Sequence, residues 1–265
     1  MSLVFGAICP HPPIIIPAIG QFDLNQVQKT IDALVELESR LVQSKPDVIL
    51  IVSPHGPLEA DNFNILGGNK LSGNFSQFGN NQIELDFRNN LEIAGLIQKE
   101  AKKNNIPVEL ISDDNLDHGM LVPLFYLTTG RLDNLPVVGM GFSFLPLNVH
   151  FKFGQIIGEV TKKVKKRIAF IASGDLSHRL TENAPAGYSE EGEKFDHQLI
   201  NLLKQDKIKE VLKIDQNLIA QAGECGLRSI IILLGALNGL NYKPEILSYE
   251  GPFGVGYLVA NFKIK

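Results

Sequence analysis

Three of the six histidines in this 265-residue chain leave the same kind of stretch. His11 ends Leu3-Val-Phe-Gly-Ala-Ile-Cys-Pro-His, His55 ends Asp47-Val-Ile-Leu-Ile-Val-Ser-Pro-His, and His178 ends Arg167-Ile-Ala-Phe-Ile-Ala-Ser-Gly-Asp-Leu-Ser-His. Imidazole ligates metals and moves protons near neutral pH, with an ordinary pKa near ~6.5. One histidine after an apolar run is more simply a loop residue satisfied by water. Three in the same position relative to their runs point to one shared site.

His11, His55 and Glu224 are the set with the strongest claim to a metal. Two imidazoles and a carboxylate that leave positions open form the arrangement non-haem Fe(II) enzymes use to bind an organic substrate and dioxygen together. Zinc accepts the same donors. The ligands come from separate elements, so their spacing does not demand a metal. Glu224 also suits the first turn of an apolar helix, where the dipole favours a carboxylate. Cys225, one residue on, offers a thiolate as the alternative donor; a hard oxygen ligand is the expectation.

His118 lies in Asp117-His-Gly, at a turn entering Leu121-Val-Pro-Leu-Phe-Tyr. It is either tied to Asp117 or faces substrate as a donor. Asp175, three residues before His178, could orient the His178 ring for acid/base work. His150 and His197 fall within helical patterns and read as surface residues. Cys9 reads as a small buried strand residue.

The elements that must carry these residues follow from periodicity. Val48 to Val52 have no polar face, as in a strand buried on both sides of a parallel sheet. Pro54 and Gly56 stop that strand and put His55 at its carboxyl end, the edge where open α/β sheets bind ligands. Pro12 to Gly20 is too rich in proline for a helix or central strand and reads as an ordered loop. Leu24 to Gln43 carries apolar residues at three- and four-residue spacing, an amphipathic helix.

Gly67 to Asn81 is a Gly/Asn/Ser-rich excursion without periodicity, while Gln82 to Phe87 alternates as a half-buried antiparallel strand. Helices are expected over 149–165, 189–203, 208–213 and 224–237. Strands are expected over 62–66, 108–111, 136–142, 168–172, 242–249 and 256–262. The reading is an α/β fold over residues 1–265 as one domain. It has a central, mostly parallel or mixed sheet flanked by helices, with the site at the carboxyl ends of the strands.

Composition narrows the partners. Lys+Arg number 25 against Asp+Glu 29, a formal charge of -4. That gives no basic field for nucleic acid, and the cluster at Lys162 to Arg167 lacks the interleaved aromatics of a single-strand binder. Cys9 and Cys225 alone make no disulfide framework and suit a reducing compartment. No run approaches the length that spans a bilayer. A cytoplasmic protein without membrane or nucleic-acid partners is expected, and self-association into a homo-oligomer is left open.

Six motifs in order, Cys-Pro-His11-Pro-Pro, Ser-Pro-His55-Gly, Asp-His118-Gly, Ser-Gly-Asp-Leu-Ser-His178, Glu224-Cys-Gly-Leu-Arg-Ser and Ser-Tyr-Glu-Gly-Pro-Phe-Gly-Val-Gly256, resemble the class III extradiol dioxygenase B-subunit family. The chain looks closest to the front half of AmmeMemoRadiSam system protein A. The resemblance implies Fe(II) held by His11, His55 and Glu224, with His178 as acid/base and His118 facing substrate and oxygen. It implies a small catechol-type aromatic and dioxygen as reactants. The related Memo proteins carry a metal-proximal cysteine where Cys225-Gly226 stands, and a non-oxygenase member linked to a radical-SAM modification system is the alternative function.

Overall fold

A computed structural model describes residues 3–265. Its strands are β1 (Leu3–Cys9), β2 (Val48–Ser53), β3 (Phe63–Leu66), β4 (Lys70–Phe75), β5 (Asn80–Arg88), β6 (Val108–Ile111), β7 (Val137–Gly141), β8 (Ile168–Ser173), β9 (Tyr242–Glu250) and β10 (Tyr257–Ile264). The helices are α1 (Pro17–Gly20), α2 (Gln28–Gln43), α3 (Leu91–Lys103), α4 (His118–Thr128), α5 (Leu147–Lys163), α6 (Glu190–Lys204), α7 (Ile208–Val211), α8 (Gln216–Ala222) and α9 (Leu227–Leu237). Eight strands form one mixed sheet in the order β6-β3-β7-β2-β8-β1-β10-β9.

The centre of the sheet, β7-β2-β8-β1, is parallel throughout. β10 and β9 continue it antiparallel beyond β1, and β3 meets β7 antiparallel. This is the expected α/β architecture. Side chains of a strand alternate between faces, and in β2 the alternation divides the interior. Val48, Leu50 and Val52 join the core under α3, α5, α6 and α9, whereas Ile49 and Ile51 join the core under α2 and α4. Leu34, Leu37 and Leu41 of α2 are fully buried on that second face, each such burial stabilising by roughly 1.5–3 kcal/mol.

The helices differ from the sequence reading at instructive places. Pro12 to Gly20 is not a plain loop: Pro13 and Pro17 each start a short helical turn, since a proline's missing N–H costs nothing at a first helical position. The irregular excursion contains β4, which pairs with β5 as a separate two-stranded sheet. α8 was not anticipated. The last helix begins at Leu227 rather than Glu224, so Glu224 and Cys225 lie in the turn that precedes it. Among the described residues no helix is long and apolar enough to cross a membrane.

α5 and α9 cover one sheet face by crossing on glycine. A Cβ at Gly154 would fall 2.0 Å from the Ile232 carbonyl oxygen, and one at Gly235 2.2 Å from that of Phe151. The backbones touch, so no side chain can be inserted without moving a helix that is packed along its length. Gly235→Val is expected to lower stability by about 3 kcal/mol, read as the midpoint of urea unfolding; an unchanged midpoint would show that the helices part without cost.

Candidate metal centre

The parallel order β2-β8-β1 brings the three histidine-bearing exits to adjacent positions on one edge. Beyond β1, Pro10 turns the chain and His11 drops inward, only 2% exposed. Its backbone N–H donates to Asp175 Oδ1 at 2.9 Å. Beyond β2, Ser53-Pro54 turns His55 to the edge of a cavity, with the His55 N–H donating to Ser53 Oγ at 3.1 Å.

His11 Nε2 and His55 Nε2 are 3.0 Å apart, and Cys225 Sγ is 3.7 Å from His11 Nε2. The three donor atoms all lie within 4.8 Å of one another. Two nitrogens held about 2.0–2.1 Å from one cation in a right-angle to tetrahedral arrangement would be about 2.8–3.4 Å apart. Nitrogens this close either share a proton or aim lone pairs at a common cation, and a third donor beside them suits the cation. The donors present therefore fit a divalent metal.

Backbone packing sets Cys225, rather than Glu224, beside the two imidazoles. Gly174 and Gly226 touch so closely that a Cβ on Gly174 would sit 2.1 Å from the Gly226 Cα. That contact lays Cys225 against the β8 exit, where the Asp175 N–H donates to Cys225 Sγ at 3.3 Å. Glu224 points elsewhere, its Oε2 accepting from the Leu227 N–H at 2.6 Å as a cap on α9. The structure thus brings His11, His55 and Cys225 together and leaves Glu224 outside the group. Burial raises the Glu224 carboxyl to about 7, against the Leu227 N–H and Arg228.

The electrostatics keep both imidazoles neutral and the thiol protonated. Burial, then the neighbouring His55, His118 and His178, holds His11 far below the ordinary histidine range. Desolvation, then His118, pushes His55 down to about 4, against the opposing pull of Asp117. Burial, Asp175 and Glu224 together raise the Cys225 thiol. Imidazoles held neutral offer a lone pair with no proton to release, whereas the reluctant thiol becomes a good ligand only when a metal replaces its proton.

His118 is the first residue of α4. Asp117 does not hold its ring: Oδ1 of Asp117 caps the helix by accepting from Gly119 N at 2.7 Å and Met120 N at 3.3 Å, and it takes the Ser53 hydroxyl at 2.6 Å. The His118 ring instead stacks on His55, centroids 4.2 Å apart, and meets Phe78 edge-on at 5.2 Å. His178 is not oriented by Asp175 either. Its Nδ1 lies 3.0 Å from the Leu176 carbonyl oxygen, which cannot donate, so the proton sits on Nδ1. Burial lowers its pKa, opposed by the Leu176 and Gly223 carbonyls.

His11, His55, His118 and His178 line one cavity of about 520 Å³ with Pro13, Phe78, Phe253 and Tyr257. Phe78 also borders a second cleft, of about 480 Å³, that shares His55 and His118 with the first. Sequence reasoning did not single out Phe78, Phe253 or Tyr257. The lone aromatic pair Phe75 and Phe78 inside a polar stretch was the available signal for the first. His150 is fully buried rather than on the surface, with its two ring nitrogens 3.1 Å and 3.0 Å from the Pro146 and Ser143 carbonyl oxygens; a helix face turned inward hides such a residue from periodicity. His197 is exposed and Cys9 is buried in β1, as expected.

Comparison with known proteins places this chain among relatives. The family described as catalytic LigB subunit of aromatic ring-opening dioxygenase matches residues 6–260. A Clostridium acetobutylicum protein whose name assigns no function is 35% identical over 97% of this chain, and the chain spans 57% of its length. The 2-aminophenol 1,6-dioxygenase beta subunit of a Pseudomonas species is 22% identical over 99% of this chain and 94% of its own. The Escherichia coli 3,4-dihydroxyphenylacetate 2,3-dioxygenase is 23% identical over 83% of this chain and 84% of its own. Among solved structures, an uncharacterized protein of Escherichia coli K12 shares the fold with a TM-score of 0.66 at 15% identity, covering 97% of this chain and 99% of that one.

Proposed function

We propose, on the premise that this chain belongs to the LigB family of aromatic ring-opening dioxygenase subunits, that it is a metal-dependent extradiol dioxygenase acting on a small catechol-type aromatic. The observation that carries this reading is the convergence of His11 Nε2, His55 Nε2 and Cys225 Sγ at the edge of a cavity that also receives His178 and His118. His11, His55 and Cys225 would hold the ion. Fe(II) there would supply Lewis acidity toward two vicinal hydroxyls and one-electron chemistry toward dioxygen; zinc, which the donors also accept, would supply only the first.

The chain's own residues divide the remaining work. Pro13, Ile14, Phe78 and Phe253 give an aromatic ring an apolar wall and keep bulk water from it. His178, with Nδ1–H fixed on the Leu176 carbonyl, leaves Nε2 as the atom that takes a diol proton and gives it back as the ring opens. His118, fixed at the start of α4, places a second ring beside His55 where it can donate to a developing oxyanion. The reactants are then one small aromatic and dioxygen, in a cytoplasmic protein.

The test is oxygen uptake by anaerobically iron-loaded protein over a panel of catechols. Uptake equimolar with ring-opened product is expected. Iron held by the protein without uptake on any ring would favour the second reading, a metal-binding member without oxygenase activity in a radical-SAM-linked system. The sulfur donor is the observation that favours that alternative, since a thiolate suits softer ions than a carboxylate does.

A further inference from the structure

The first turn of α4 meets both ligand histidines. On one side the His55 N–H donates to Ser53 Oγ, whose hydroxyl donates to Asp117 Oδ1, the cap of the helix. On the other, Ser173 Oγ lies within hydrogen-bond reach of the Gly119 carbonyl oxygen and 3.0 Å from His11 Nδ1. Gly119 itself must lack a side chain, because a Cβ there would fall 2.3 Å from Ser53 Oγ and 3.4 Å from His55 Cδ2.

Counting hydrogens settles the His11 contact. Ser173 is fully buried and carries one hydroxyl hydrogen. The Gly119 carbonyl can only accept, so that hydrogen points to it. The contact between Ser173 Oγ and His11 Nδ1 then has only one source of a proton, and Nδ1 must carry it. His11 Nε2 is left as a bare lone pair facing His55 and Cys225.

The Gly119 carbonyl is available for a reason written into the sequence. In an uninterrupted α-helix it would accept from the N–H four residues on. That residue is Pro123, inside α4, which has no N–H. We propose that Ser173 is the positioning residue of His11, and that Pro123 reserves the Gly119 carbonyl for it. A proline in the middle of a buried helix, otherwise a defect, thereby fixes the ring tautomer of a histidine on another strand.

The assignment of His11 as a ligand rests on the function proposed above, so the experiment reads two quantities. The first is the His11 tautomer in metal-free protein, from long-range proton–nitrogen NMR of the imidazole ring. Nδ1–H is expected in the wild type, and Ser173→Ala should shift the population toward Nε2–H. The second is Zn(II) affinity by chelator competition, which should fall about 10–100-fold in Ser173→Ala, the usual worth of such an outer partner. Pro123→Ala, a better helix former, should move both quantities in the same direction by a smaller amount while thermal stability holds or rises.

An unchanged tautomer in Ser173→Ala overturns the proposal whatever the metal does. Zn(II) affinity within twofold of wild type, with the tautomer shifted, overturns the link from ring orientation to metal. A wild type that shows the Nδ1–H tautomer and binds no Zn(II) keeps Ser173 as the group that orients His11 and removes the ligand set instead. If Ser173→Ala does not fold, Pro123→Ala decides: no change in either quantity sinks the proposal.

Discussion

His178→Ala should keep its metal, still bind a catechol, and lose turnover by ~10²–10⁴-fold, the usual worth of a positioned proton-transfer group. The expectation rests on where His178 stands. It lines the cavity with His11 and His55, yet it is outside the group of converging donors. Its Nδ1 is committed to the Leu176 carbonyl, so one nitrogen remains for a proton. Because burial lowers its pKa below the ordinary histidine value, the neutral base form dominates at pH 7. Turnover in the wild type should then fall only on the acid side of pH ~6.5, as the ring becomes protonated. That acid limb should vanish in His178→Ala if His178 is the base. Iron content by elemental analysis, anaerobic catechol titration and oxygen uptake separate the roles: loss of metal with the ring would make His178 a ligand instead.

The fold was legible because its signals are local. Val48–Val52 and Ile168–Ala172 have no polar face, and both are buried strands at the centre of the sheet. The Pro and Gly exits placed His11, His55 and His178 at one edge because parallel strands in adjacent positions end on the same side. The hairpin β4-β5 was half read, since β5 alternates and β4, with Ser72, Gly73 and Asn74, does not. What could not be read was the path of one turn. Glu224 and Cys225 are adjacent, and which of them faces the histidines depends on the contact of Gly226 with Gly174, about fifty residues away in sequence. Likewise Asp117 and Asp175 sit beside His118 and near His178 in sequence, but both carboxylates are taken by backbone N–H groups. Asp117 is drawn to the donors of its own helix start, and Asp175 to the N–H of His11 on the neighbouring strand exit, a partner that no local pattern shows.

The choice between those two neighbours gives the other large effect. Cys225→Ser should lose metal affinity by more than the ~10–100-fold of an outer partner, because it removes a donor that lies 3.7 Å from His11 Nε2. Glu224→Ala should keep the metal and instead lose about 1 kcal/mol of stability, since what it removes is the cap on the Leu227 N–H. Cobalt reports the ligand directly: a sulfur-to-cobalt charge-transfer absorption is expected in wild type and Glu224→Ala and not in Cys225→Ser. The thiol adds a pH signature. Burial and two neighbouring carboxylates raise its pKa, so the thiolate forms only as metal displaces the proton, and affinity should climb with rising pH. Steep pH dependence in the wild type should therefore flatten in Cys225→Ser. If Glu224→Ala empties the site and Cys225→Ser does not, the turn before α9 rearranges to present oxygen, and the carboxylate is the third ligand after all.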